Sequence, residues 1–147
     1  MGQYRCLHFR IEELVSKSLH EGRGDLAWEL FDIATLRVID ELWEHFGVPV
    51  TINNWLWGAD LENCGYRPAS YYTRPSLSQH QFGKAFDLHF KGLDAEDVRR
   101  EIIYRRKFSN KFLSIGGLET GVSWVHMDTR NTNRGQNVNG GIFLFGK

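Results

Sequence analysis

Apolar residues recur at helical spacing through the first third of the chain. Residues 9–19 carry apolar side chains three and four positions apart, which predicts a helix. After a glycine-containing break, Asp25 is a suitable N-cap for a second helix over about residues 26–46. Gly47 then ends the helical pattern. N-terminal helices are therefore expected over about residues 7–46.

The rest of the chain, about residues 47–147, has the shorter apolar runs that are typical of strands. A long stretch rich in glycine, proline and aromatic residues at 56–79 predicts an ordered loop over a site. Strands are predicted over residues 48–55, 84–90, 112–118, 122–127 and 141–145, and a short helix is predicted from a cap at Asp94 to about Tyr104. We therefore expect one α+β domain over residues 1–147, with a small, mainly antiparallel sheet and flanking N-terminal helices.

The strand predicted at 84–90 places a carboxylate among apolar neighbours. Asp87 falls on the face opposite to Phe86 and Leu88, because side chains alternate along a strand. Burying an unpaired carboxylate at such a position would cost roughly several kcal/mol of folding free energy. A cation or strong hydrogen-bond donors should therefore contact it. Gly83 allows a turn that could bring His80 back over the same face.

Two histidines and this aspartate form a candidate metal site. His80, Asp87 and His126 offer two neutral imidazoles and one carboxylate, a set that a catalytic zinc ion accepts while a fourth position stays open. His89 shares the predicted face of Asp87 and is a candidate for a supporting group or a competing ligand. Trp124, two residues before His126, is a candidate for packing beside the metal or for a wall against the substrate.

The wider pattern around these residues resembles a known family. Residues 78–87 fit Ser-x-His-x-x-Gly-x-Ala-x-Asp, residues 124–126 fit Trp-x-His, and residues 63–68 read Asn-Cys-Gly-Tyr-Arg-Pro. These motifs resemble the zinc peptidases of the D-alanyl-D-alanine carboxypeptidase group, family M15, which includes many bacteriophage endolysins and is related in fold to the hedgehog signalling domain. The resemblance covers roughly residues 47–130.

The resemblance implies a function and roles for further residues. It implies one zinc ion per chain and hydrolysis of a peptide bond in bacterial peptidoglycan peptides, by a phage-encoded lytic peptidase or carboxypeptidase. Arg67 matches the family's arginine that helps to hold a substrate carbonyl or carboxylate, and a planar guanidinium suits that task. Ser78, Gln81 and Trp124 are expected to contact the substrate.

The general base is where the sequence departs from this family. Members often place an acidic residue three positions before the second zinc histidine, and this chain has Ser123 there. Asp128 lies two residues after His126, on the same face of an extended strand. Glu119 lies across the predicted hairpin turn, from where it could reach the metal. Both carboxylates are candidate bases.

The amino-acid composition limits the classes of partner that the protein is expected to bind. The 18 basic and 18 acidic residues cancel, which argues against nucleic acid or an anionic membrane as the main partner. The sequence has no apolar run of membrane-spanning length and no signal-peptide pattern at its start. The chain is therefore expected to be made in the cytoplasm and to act at the cell wall, as a released lysin or a virion component beside other phage particle or lysis proteins.

Two alternatives to an enzyme follow from the same residues. Because Ser123 replaces the expected acid, the chain could be a zinc-stabilised binding or virion structural module without catalysis. In the second alternative, the histidines and aspartates form a polar network without metal.

Overall fold

A computed structural model describes residues 3–131 and 139–146 of the protein. Within these ranges the chain forms three α-helices and one five-stranded sheet that is mostly antiparallel, which confirms the predicted α+β class. The elements are α1 (Lys17–Arg23), α2 (Ile33–Phe46), β1 (Val50–Thr51), β2 (Ala85–Phe90), α3 (Ala95–Ser109), β3 (Gly117–Thr120), β4 (Val125–Asp128) and β5 (Phe143–Gly146).

The first predicted helix, over residues 9–19, is wrong in its bounds. The chain instead makes a 3-10 turn at Ile11–Glu13, and α1 begins only after Ser16, whose side chain accepts a hydrogen bond from the backbone of Leu19. The carbonyl oxygens of residues 13–15 accept hydrogen bonds from residues 53–66. An α-helix would use these oxygens internally, so the contact with the later loop breaks the helix.

The second predicted helix is correct only in its second half. Residues 24–30 form a 3-10 segment, and α2 starts after Asp32 rather than after Asp25. At this break the amide of Asp32 donates to the carbonyl of Gly83, and a Cβ on Gly83 would lie 1.9 Å from the carbonyl oxygen of Leu30. The chain that leads into β2 therefore packs directly on the interruption. The predicted end at Gly47 is confirmed, with a left-handed φ of 64°.

The strands are shorter than predicted, and α3 is longer. Asp94 caps α3 as expected, but the helix continues to Ser109. Residues 112–116 precede β3 as a turn, because Phe112 has a φ of 59° and its carbonyl accepts from Ile115. Arg106 of α3 donates to the same carbonyl and so holds this turn against the helix.

The sheet has the strand order β1-β2-β4-β3-β5, and only the β3–β5 pairing is parallel. The register places Asp87 of β2 directly opposite His126 of β4, and Glu119 of β3 opposite Phe145 of β5. Because β3 and β4 pair Gly117 with Asp128, Glu119 continues the row that contains His126. One row across four strands therefore contains Asp87, His126, Glu119 and Phe145.

The opposite face of the sheet supplies the core. Phe86, Leu88, Leu118 and Met127 are all fully buried on that face. Phe86 also stacks on Phe31, which immediately precedes the N-cap of α2, with ring centroids 5.3 Å apart. The helices thus cover one face of the sheet, and the row with Asp87 and His126 lies on the other.

Candidate metal centre

His80 lies on a 3-10 turn just before β2, and the carbonyl of Gly65 holds its ring. The turn spans Gln79–Phe82 and ends at Gly83, whose φ of 68° reverses the chain toward the strand. Nδ1 of His80 is 2.9 Å from the carbonyl oxygen of Gly65. A carbonyl oxygen only accepts, so Nδ1 carries the proton and Nε2 of the neutral ring presents its lone pair.

Gly65 can hold His80 because this loop packs against two other parts of the chain. A Cβ at Gly65 would lie 2.0 Å from the carbonyl oxygen of Leu14, so only glycine fits the close approach. The neighbouring carbonyl of Cys64 accepts a hydrogen bond of 2.7 Å from the amide of Asp87. The loop therefore fixes the first histidine and the aspartate together.

The three predicted ligands converge on one buried point. Nε2 of His80 lies 3.3 Å from Nδ1 of His126 and 3.3 Å from Oδ1 of Asp87. Nδ1 of His126 lies 3.0 Å from the same Oδ1. All three residues are buried, and this group could hold a metal ion.

The spacing of these atoms suits a tetrahedral ion. Zinc bonds to nitrogen and oxygen are about 2.0–2.1 Å long, so neighbouring ligand atoms in a regular tetrahedron are about 3.3 Å apart. The three observed separations are 3.0–3.3 Å, so the side chains need little movement to bind an ion of this size. Two imidazoles and one carboxylate also form a donor set that zinc commonly takes, so the residues fit the metal that the sequence predicts.

Hydrogen bonds within the group set its charges. Burial alone would raise the pKa of Asp87, but the hydrogen bond from His126 and the positive charge of that ring hold the pKa well below its usual range. Burial alone would lower the pKa of His126, but its hydrogen bonds to Asp128 and Asp87 outweigh burial and raise the pKa to about 9. The metal-free site therefore favours a charged imidazolium between two carboxylates.

Arg67 directly contacts Asp87, one of the three candidate ligands. Its Nη2 donates to Oδ2 of Asp87 over 2.9 Å, and its Nε donates to the carbonyl of Asn63 over 2.7 Å. The guanidinium also lies over the ring of Tyr71, 5.2 Å from the centroid. Arg67 thus orients the second carboxylate oxygen of Asp87, a contact that the sequence did not predict.

A cavity of about 380 Å³ opens over the ligand group. Among its lining residues are four that the sequence assigned to substrate or catalysis, namely Arg67, Ser78, Glu119 and Trp124. Gln81 is not among them. It donates to the carbonyl of Ser76 and lines a separate groove beside Tyr72 and Arg74, so its predicted contact with substrate at the metal is not supported by its position.

The two candidate bases occupy different places. Glu119 lines the cavity over the candidate ligands, and within the described residues its carboxylate has neither a hydrogen bond nor an ion pair. Asp128 is fully buried, and its Oδ2 lies 3.0 Å from Nε2 of His126, on the ring edge away from the other ligands. This position suits a residue that orients the imidazole and does not suit proton transfer at the ion.

Two other positions named from the sequence lie outside the group. His89 is exposed and pairs with Thr51 at the β1 side of the sheet, so it is not a competing ligand in this arrangement. Ser123 is exposed and lines a different cavity beside Leu88 and Val125. The position at which the resembling peptidases place an acid is therefore away from the cavity beside His80, Asp87 and His126.

Sequence reasoning missed Arg130 and Phe145, which also line the cavity. Arg130 follows Asp128 at strand spacing, which was a usable signal for a shared face. Phe145 reaches the site only through the parallel pairing of β5 with β3, and nothing in its local sequence marks that pairing.

Comparison of the chain with protein-family models, with curated proteins and with solved structures finds no match. Among the residues that the structure describes, no helix combines the length and the apolar character that crossing a bilayer requires.

Proposed function

We propose that the protein is a zinc-dependent peptidase that hydrolyses a peptide bond in bacterial peptidoglycan peptides. One observation carries this proposal. The buried His80, Asp87 and His126 group lines a cavity together with a guanidinium, Arg67, and a carboxylate, Glu119, that has no partner among the described residues. A metal site, a proton acceptor and a group for substrate oxygens are the parts that metal-assisted hydrolysis needs.

Three atoms of the chain would hold the ion: Nε2 of His80, Oδ1 of Asp87 and Nδ1 of His126. Zinc bound there would polarise a substrate carbonyl and lower the pKa of a water molecule. The remaining work falls to side chains in the cavity, because all three ligands are committed to the ion.

Glu119 is the proposed general base. It lies in the sheet row that contains His126, lines the cavity, and is not one of the three ligands. Its carboxylate would take the proton from the attacking water and deliver it to the leaving amine, the exchange that peptide hydrolysis requires. The absence of an acid at position 123 is therefore compatible with catalysis.

Arg67 is the proposed contact for a substrate oxygen. Two of its nitrogens are used by Asn63 and Asp87, and its Nη1 makes no hydrogen bond within the described part of the chain. Nη1 would donate to the carbonyl of the scissile bond or to a substrate carboxylate. Trp124 supplies an apolar wall for the peptide, and Ser78 chiefly supports the turn through its contact with the His80 amide.

The peptidoglycan substrate and the cell-wall location rest on the sequence resemblance over residues 47–130. Action as a released lysin or as a component of a phage particle is the setting in which such a peptidase reaches its substrate.

Peptide release from purified peptidoglycan tests the proposal. Zinc-loaded wild type should generate new amino termini, chelator should stop the reaction, and Glu119→Gln should be slower by about 10²–10⁴-fold. Glu21→Gln, at an exposed position on α1, is the matched control and should keep the wild-type rate. Zinc-loaded wild type without any release would favour a non-catalytic zinc module, and wild type that binds no zinc would favour the metal-free polar network.

A further inference from the structure

We propose that Arg130 and Phe145 are positioning residues for the metal ligand His126. The two side chains, here called the Arg130–Phe145 clamp, hold Asp128 and the imidazole so that Nδ1 of His126 stays aimed at the ion. Both lie outside the three ligands, and Phe145 lies beyond the part of the chain that the family motifs cover. The inference rests on the metal site of the proposed function but does not depend on hydrolysis.

Arg130 acts on His126 through Asp128. Its Nε and Nη2 donate to Oδ1 and Oδ2 of Asp128 over 2.7 and 2.6 Å, so the guanidinium grips the carboxylate with two parallel bonds. The backbone amide of Arg130 adds a third contact, to Oδ1 at 3.2 Å. Asp128 is therefore fixed in orientation, and its Oδ2 accepts from Nε2 of His126.

Phe145 contacts both ends of this chain of hydrogen bonds. The guanidinium carbon of Arg130 lies 4.6 Å above the centroid of the Phe145 ring. The imidazole of His126 meets the same ring edge-to-face, with centroids 5.4 Å apart. One side chain of β5 thus limits the movement of the arginine and of the metal ligand at once.

The sheet leaves room for the clamp at Gly117. A Cβ at this position would lie 2.5 Å from Oδ1 of Asp128 and 2.8 Å from Nε of Arg130. Asp128 is directly opposite Gly117 in the β3–β4 register, and Ala85 is opposite Asp128 on the other side. Small residues on both neighbouring strands therefore accommodate the buried ion pair beside the ligand.

This arrangement has a measurable consequence for metal binding. A ligating histidine needs its second ring nitrogen fixed, and loss of the group that fixes it typically weakens metal affinity by about 10–100-fold. Asp128 is buried, so removing the arginine side chain would take away two of its hydrogen-bond donors and endanger the fold. Lysine keeps the charge but cannot make the two parallel bonds, which makes Arg130→Lys the informative variant.

Metal binding by the full chain tests the clamp. We expect Arg130→Lys and Phe145→Leu each to weaken zinc affinity by about 10–100-fold and to alter the visible absorption of bound Co²⁺. Phe145→Tyr keeps the ring and should retain the affinity of wild type. Arg106→Lys is the matched control, because Arg106 is also partly buried but donates to backbone carbonyls of the 112–115 turn. It should leave zinc affinity and the Co²⁺ spectrum unchanged.

A double-mutant cycle separates positioning from a general loss of stability. If Arg130 acts through Asp128, the effects of Arg130→Lys and Asp128→Asn on zinc affinity should not add in free energy. Wild-type zinc affinity in both Arg130→Lys and Phe145→Leu, or additive effects in the cycle, would overturn the inference. Zinc binding without peptide release by wild type would defeat the proposed function and leave this inference standing. Wild type that binds no zinc would defeat both.

Discussion

Asp128 lies behind the imidazole of His126. Its Oδ2 is 3.0 Å from Nε2, whereas Nδ1 on the other edge of the ring is 3.0 Å from Oδ1 of Asp87. The other two candidate ligands, His80 and Asp87, lie at Nδ1, so the ring itself separates Asp128 from them. Of the two carboxylates that the sequence offered as a base, this relationship favours Glu119 for the proposed proton transfer and Asp128 for orienting the ring of His126.

Replacing the first histidine should remove the metal while largely keeping the fold. His80→Ala loses one of three ligands, and the helices and sheet supply the core independently of that side chain. Elemental analysis should find about one zinc per chain in wild type and little in His80→Ala. His89→Ala, at an exposed position on the same strand as Asp87, should keep its zinc. Full zinc occupancy in His80→Ala would refute the ligand assignment.

The variants Glu119→Gln and Asp128→Asn should lose different properties, the first its catalytic rate and the second its zinc affinity. Glu119→Gln should keep zinc and lose about 10²–10⁴-fold in rate, because the amide cannot accept the proton. Asp128→Asn should weaken zinc binding first, because it disturbs the contacts with His126 and Arg130. Steady-state rates at saturating zinc, together with zinc affinities, distinguish the two. Loss of zinc from Glu119→Gln, or full rate in that variant, would exclude Glu119 as the base.

Arg67→Lys should impair turnover on a defined wall peptide. A lysine cannot hold Asn63, Asp87 and a substrate oxygen at once, because a point charge does not reproduce the guanidinium fork. At saturating zinc the variant should still bind one ion, with affinity lower by about tenfold because Asp87 is less well oriented. Unchanged kinetics would show that Arg67 supports the loop and does not contact substrate.

Zinc affinity should rise with pH up to about 9. The His126 pKa is raised from its ordinary value of 6.5 to about 9, so a proton competes with the ion at Nδ1 below that pH. The same raised pKa stabilises the metal-free fold fully below pH 6.5, and this contribution is lost as pH rises through about 9. Thermal unfolding of metal-free protein across this range should show the loss. A zinc affinity independent of pH between 6 and 9 would contradict the charged state assigned to His126.

The approach of His80 to Asp87 could be predicted because the placement of these two residues is local. Alternation along 84–90 puts Asp87 on the face away from the core, and Gly83 turns the chain so that His80 reaches the same place. The helix bounds could not be predicted, because the carbonyls of residues 13–15 bond to residues 53–66, far along the chain. Local periodicity carries no information about such contacts.

The distinction between the two candidate bases also depends on the pairing of distant segments. Glu119 and Asp128 are both near His126 in sequence, and only the register of β3 and β4 shows which one shares its row in the cavity. The group that fixes His80 is the backbone carbonyl of Gly65, so no side chain in the sequence indicates this contact. The place of Phe145 in the cavity depends on the parallel pairing of β5 with β3, which the local sequence does not indicate.

Titration of activity with zinc tests the central claim most directly. Metal-free protein would receive increasing zinc, and the release of new amino termini from purified peptidoglycan would be measured at each step. We predict that activity is absent without metal, rises in proportion to zinc, and levels off at about one equivalent per chain, while His80→Ala stays inactive throughout. Activity that persists in the metal-free protein, or no activity at one bound equivalent, would contradict the account.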